Sequence, residues 1–170
     1  MFTIGFEAFS GCTGLINLAI PDGVETIGSG AFEGCNKLTS ISIPGSVKSV
    51  GGNAFADCAN LTVYAEAPSK PNEWMAWALS LNWNSSRRPV VWKCKTSADD
   101  GGVYVESFEK SANSIENTDL DTGNGISAPY RAGYTFGGWA TATGGAAVYS
   151  AAEIASAPDG VTLYAVWVPE

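Results

Sequence analysis

AFSGCTGL at residues 8–15, AFEGCNKL at 31–38 and AFADCANL at 54–61 are one phrase written three times, each 23 residues after the last. The agreement extends on both sides of the phrase. Ile4, Ile27 and Val50 align, as do Gly5, Gly28 and Gly51, then Ala8, Ala31 and Ala54, then Phe9, Phe32 and Phe55, then Cys12, Cys35 and Cys58, then Leu15, Leu38 and Leu61. Leu18, Ile41 and Tyr64 follow, then Ile20 and Ile43, Pro21 and Pro44, Val24 and Val47. Apolar positions locked to a fixed period of this length identify a stacked solenoid, in which no single coil buries its own apolar edge.

Within one period, Leu38-x-x-Ile41-x-Ile43 ends in alternation and stops at Pro44, which cannot donate to a sheet ladder. That half predicts a short strand. Ile27-Gly28-x-x-Ala31-Phe32 spaces its apolar residues by three and four and predicts one helical turn on the convex side. The expected fold is therefore a repeat solenoid of parallel strands with short helical turns, its coils ~4.8 Å apart around shared Phe, Leu, Ile and Cys rungs. On a strict period Leu18, Ile41 and Tyr64 point inward. The residues between them form the outward face: Asn17, Ala19, Ser40, Ser42, Val63 and Ala65, with Thr39 and Thr62 beside them. Small, uncharged and flat, this face suits contact with a protein better than a small-molecule pocket. Copy three departs, with Asp57 for Gly, Tyr64 for Leu or Ile and Glu66 at an inward Ile position, which predicts that the solenoid ends there.

The pattern I-G-x-x-A-F-x-G-C-x-x-L-x-x-I-x-I-P over residues 4–67 resembles the BspA-like leucine-rich repeat of bacterial surface proteins. Residues 67–95 follow with Trp74, Trp77, Trp83 and Trp92 and end in the strand-like PVVWKC. Terminal coils must cover an open apolar face, and indoles cover much area each, so this stretch is read as a cap. The alternative is a sugar-stacking platform made by the same four tryptophans. Copy one begins at Ile4 without a recognisable cap, which predicts either further coils upstream or cover from a second chain.

KTSADDGG then reads as a polar, flexible linker, dividing the chain into a solenoid at 1–95, a linker at 96–102 and a second module at 103–170. In that module Val103-Tyr104-Val105 predicts a strand and residues 128–133 a turn. YTFGGWAT predicts a strand with a glycine bulge, and VTLYAVWV a half-buried closing strand. Ser150, with Glu153 three residues on, predicts the start of a short helix over 150–156. PYRAGYTFGGW followed by TLYAVW closely resembles the Listeria/Bacteroides repeat, of the internalin B-repeat type, over roughly 103–167. The resemblance implies a small α+β, β-grasp-like domain with a stalk or interaction role on the cell surface, although ESFEKSANSIENTDLDTGNG lacks the usual F-x-x-N-G-G phrase.

Composition limits the chemistry. Nine Lys and Arg against 17 Asp and Glu give a net charge of -8, which disfavours a nucleic-acid or anionic membrane partner. No apolar run approaches the ~20 residues of a membrane span. The absence of His removes Ser-His and Cys-His catalysis and imidazole metal ligation. No G-x-S-x-G, S-x-x-K or P-loop is present. Cys12, Cys35 and Cys58 occupy one inward rung and are expected to be inert thiols, with Cys94 free or locally paired. Residues 119–125, DLDTGNG, are read as an exposed turn rather than a calcium loop, and Asp99 with Asp100 as a solvated pair. No catalytic residue, metal or cofactor is expected. The two resemblances imply an extracellular or surface-attached location, and together with the residues above they lead to the expectation of a non-enzymatic module that binds a host or neighbouring-cell protein. The alternatives are carbohydrate binding through the cap tryptophans, or a spacer.

Overall fold

The computed structural model describes residues 1–67, 74, 83–84, 88–100, 102–116 and 126–170. Each coil contributes to two parallel sheets. β1 (Phe2–Ile4), β3 (Val24–Ile27) and β5 (Ser49–Val50) form one. β2 (Asn17–Ala19), β4 (Ser40–Ile43) and β6 (Thr62–Ala65) form the body of the other. The segment expected to be helical, Ile27 to Phe32, thus begins at the last residue of β3 and continues into turns, and no α-helix occurs among the described residues. Backbone conformation explains the difference. Glu7, Gly30 and Asn53 occupy one repeat position and all have positive φ, and so do Gly11, Gly34 and Asp57 four residues later. Two left-handed residues per coil break any helix. Asp57, which looked like a departure from Gly, keeps that conformation because Asp tolerates it.

The coils are joined by repeating hydrogen bonds: Phe9 N–H to Ala31 O and Phe32 N–H to Ala54 O, both 2.8 Å, and Gly28 to Ile4 O and Gly51 to Ile27 O, both 2.8 Å. The Phe9, Phe32 and Phe55 rings stack at 5.3 and 5.6 Å between centroids, nearly parallel. Trp83 ends this column edge-on to Phe55 at 5.9 Å and packs with Trp74 and Trp92. Arg88 is tucked beneath coil three, its Nε donating to Leu61 O at 3.1 Å. Asn84 clamps the Arg88 backbone with two 2.8 Å bonds.

Beyond the repeats, β7 (Val90–Val91) adds a fourth parallel strand beside β6. β10 (Ile115–Glu116), from the second module, then pairs antiparallel with β7 and ends the parallel ladder. The second module is a four-stranded antiparallel sheet in the order β11 (Tyr134–Ala140), β12 (Thr162–Pro169), β9 (Gly102–Glu109), β8 (Cys94–Asp99). The linker reading of 96–102 is therefore corrected: Thr96 to Asp99 are strand residues paired with β9, drawn into the sheet by alternation that the polar composition concealed. β11 carries the expected bulge between Phe136 and Gly138, where Gly138 has φ +121 and no room for a Cβ beside Tyr149 O. The helix expected over 150–156 is a 3₁₀ turn at Ile154–Ser156, with the Glu153 carboxylate accepting the Ser150 N–H at 2.9 Å. The described part of the module is all-β, so the helix that an α+β, β-grasp-like fold requires is not seen.

The glycine ladder sets how closely the coils approach. A Cβ on Gly51 would lie 2.3 Å from Ser29 N, whereas one on Gly14 meets nothing within 4 Å. Gly51→Ala should lower stability by about 1–3 kcal/mol. Gly14→Ala should change it by less than about 0.5 kcal/mol, as read by urea denaturation.

Candidate binding surfaces

The outward ladder face was the leading candidate, and its third rung departs from the repeat. Ser40 pairs with Thr62, Ile41 with Val63, Ser42 with Tyr64 and Ile43 with Ala65. Leu61 still holds the place of Leu38, so coil three lacks a counterpart of Thr39. A one-residue slip exchanges the two faces of a strand. Val63 and Ala65, expected to point outward, accordingly lie in the solenoid core with Ile41 and Ile43. Tyr64, expected inside, faces out.

Tyr64 and the ladder's own hydroxyls are covered by the second module. Ser40, Ser42 and Thr62 are buried, at 0%, 1% and 0% exposure. Tyr64 joins Val91, Cys94, Val105, Phe108, Trp139 and Leu163 in a second core shared by both halves of the chain. Its hydroxyl donates to Ser127 O, and Ser127 returns two bonds, N–H to Thr62 Oγ1 at 2.8 Å and Oγ to Asn60 O at 3.0 Å. Glu66, away from the inward position expected of it, ties the halves together. One oxygen accepts the Gly45 N–H at 2.6 Å, and the other accepts the Thr96 N–H at 3.0 Å and its hydroxyl. The joint is thus fixed by a shared core, a shared sheet and side-chain hydrogen bonds. Asn17, Ala19 and Thr39 remain partly exposed at the rim of the face, with the Thr39 hydroxyl donating to Asn17 Oδ1 at 2.9 Å.

The cap tryptophans cannot form a sugar platform as expected, because Trp74, Trp83 and Trp92 are 1%, 3% and 0% exposed and enclosed by one another and Phe55. Trp77 and residues 119–125 lie outside the described residues. The cysteines are free thiols. Cys35 and Cys58 donate to Phe9 O and Phe32 O at 3.1 Å, and Cys94 to Val91 O at 3.3 Å. Cys12, on the first coil, is exposed. Burial pushes the Cys58 thiol up to about 12 and raises Cys35 and Cys94 as well. Among the described residues no group of three or more Cys, Asp or Glu is placed to hold a metal ion. No helix among them is long and apolar enough to cross a membrane.

Concave features lie on the second module and at its joint with the solenoid. A groove of about 460 Å³ runs between Glu66, Lys93, Lys95, Glu106 and Tyr164, where hydrogen bonds from Ser97 and Lys95 hold the Glu106 carboxyl below its usual range. A smaller cleft of about 240 Å³ is lined by Asp99, Asp100, Arg131, Ala132 and Tyr134. Asp99 and Asp100, read from the sequence as a plain solvated pair, differ here: the Arg131 Nε donates to Asp99 Oδ2 at 2.8 Å. The Arg131 guanidinium lies 3.9 Å over the Tyr104 ring and 3.8 Å over that of Tyr134. Sequence reading missed this arginine, although Tyr130-Arg131-x-x-Tyr134 places it beside aromatic rings.

Two stacked parallel sheets built on a phased Phe-Cys-Leu repeat, followed by an antiparallel module, define a leucine-rich solenoid with an appended repeat domain. Residues 1–75 match the family described as BspA type leucine rich repeat region (6 copies), and residues 98–166 match the Listeria-Bacteroides repeat domain. The two matched segments thus follow one another in the order of a BspA-type leucine-rich repeat region and a Listeria-Bacteroides repeat domain. No curated protein and no solved structure matches it.

The thiol geometry has a pH consequence. The fold favours the protonated thiols, so their contribution is complete below the ordinary cysteine value of 9.0 and is lost between 9.0 and about 12, where the unfolded chain releases protons that folded Cys58 retains. Stability should fall progressively above pH 9.0. At pH 8 a water-soluble thiol reagent should modify one of the four cysteines, Cys12, in the native protein, and all four after denaturation.

Proposed function

We propose that the chain is a non-enzymatic binding module of a bacterial surface protein, acting outside the cell and recognising a protein partner. Both of its repeat types are typical of bacterial surface repeat proteins. The observation that carries the reading is the rim of the ladder face. Asn17, Ala19 and Thr39 stay partly exposed beside the β9 strand of the second module, uncharged and backed by the inter-coil ladder. A surface already ordered before contact loses little side-chain entropy on binding. The buried members of the same face, Ser40, Ser42 and Thr62, serve the joint between the modules instead.

The purified chain applied to an array of extracellular proteins should give hits that Ala19→Arg abolishes at unchanged thermal stability. A truncation at the contact centre typically costs about 1 kcal/mol or more, and inserted bulk and charge should exceed that. Hits indifferent to Ala19→Arg would move the contact elsewhere. Silence on the array would leave the fixed joint as the chain's main contribution, that of a spacer.

A further inference from the structure

We propose that the cleft formed by Asp99, Asp100, Arg131 and Tyr134 binds one ring of a neutral carbohydrate. This goes beyond protein recognition at the ladder rim and depends on different residues.

The argument starts from Arg131. Its guanidinium is held in one plane by the rings of Tyr104 and Tyr134 on either side, at 3.9 and 3.8 Å, and by the Nε bond to Asp99. The side chain is only 16% exposed. Guanidinium carries five N–H donors, and Nε uses one of them on Asp99. The two Nη groups have no hydrogen bond to any described residue, so fixed donors with no partner among those residues sit in a cleft. The Nη donors face the open cleft in a fixed orientation, so an acceptor that enters it meets them without further ordering of the arginine.

Charge decides what that acceptor is. Two carboxylates stand against one guanidinium, in a chain of net charge -8, so a carboxylate or phosphate ligand would meet net repulsion. A cation has no lone pair to accept from the Nη donors and would stand beside their charge. A sugar hydroxyl answers both requirements, accepting from an Nη N–H while donating to a carboxylate oxygen such as that of exposed Asp100. The half-exposed ring of Tyr134 offers the C–H face of a pyranose an apolar, electron-rich surface. At about 240 Å³ the cleft falls below the ~300–1,000 Å³ of drug-sized sites and suits a single ring at a chain end or along a polymer.

The test is saturation-transfer NMR on the whole chain with the methyl glycosides of glucose, galactose, mannose and N-acetylglucosamine, and with methyl glucuronide as the anionic comparator. At least one neutral glycoside should bind, the glucuronide should bind more weakly than the glucoside, and Asp100→Asn should weaken binding roughly fivefold, as exchanging a charge-assisted hydrogen bond for a neutral one does. Arg131→Lys, which keeps the charge but loses the planar fork, should do the same. Asp100 is exposed, so its substitution leaves the fold intact even if Arg131→Lys disturbs the ring sandwich. No signal from any neutral glycoside would overturn the proposal and leave the sandwich as a packing device. A tighter glucuronide would overturn it in favour of carboxylate recognition. Binding that Asp100→Asn leaves unchanged would place the sugar elsewhere. None of these outcomes bears on Ala19→Arg, so this proposal and the protein-binding reading fail independently.

Discussion

The architecture turns on one residue that coil three does not have. Between Leu38 and Ser40 the second coil holds Thr39, whereas Leu61 runs directly into Thr62. In a strand a shift of one position transfers every side chain to the opposite face. Tyr64 therefore leaves the solenoid interior and becomes the ring around which the two modules pack, 6.5 Å from Trp139 between centroids. Without the slip, a buried phenol would lie among aliphatic rungs and the outward face would continue as small hydroxyls. With it, that face gains a large apolar anchor where the antiparallel sheet settles.

The repeat itself was legible because its signals are local and redundant. Phase, proline stops and paired glycines all gave the same answer, and the stacked phenylalanines follow from them. The second parallel sheet was harder to see. Ile27-Gly28-x-x-Ala31-Phe32 has helical spacing, but the positive φ of Glu7, a residue without a preference for it, follows the inter-coil ladder rather than local propensity. The slip was present in the sequence but hidden by strict phasing. Aligned with a gap, Val63 and Ala65 fall on Ile41 and Ile43, and Glu66 no longer has to be buried beside them. A polar residue at a core position is a reason to test the register before concluding that the fold ends.

The boundary between the modules was the least legible feature, for a physical reason. Composition marks where a chain is polar, and β8 is polar because one edge of it meets Glu66 while its body pairs with β9. The sheet that began as a parallel ladder is finished by an antiparallel strand from the other module, β10 on β7, which no feature of either repeat alone announces. The two sequence families therefore meet in one sheet and one core. The tryptophan cluster closes the interior of the solenoid, and the Listeria-Bacteroides domain covers one of its sides.

The same logic distinguishes polar residues that hold the structure from those available for recognition. Ser127, Thr62, Glu66 and Thr96 look like surface residues in the sequence, yet their hydrogen bonds run from one module to the other. Arg131 is the reverse case. Two rings and Asp99 fix it in place, but the bond they provide uses only its Nε. Its Nη donors line an open cleft, whereas the ladder hydroxyls of Ser40, Ser42 and Thr62 are closed off by the second module, which is the physical ground for assigning recognition to the cleft and construction to the ladder face.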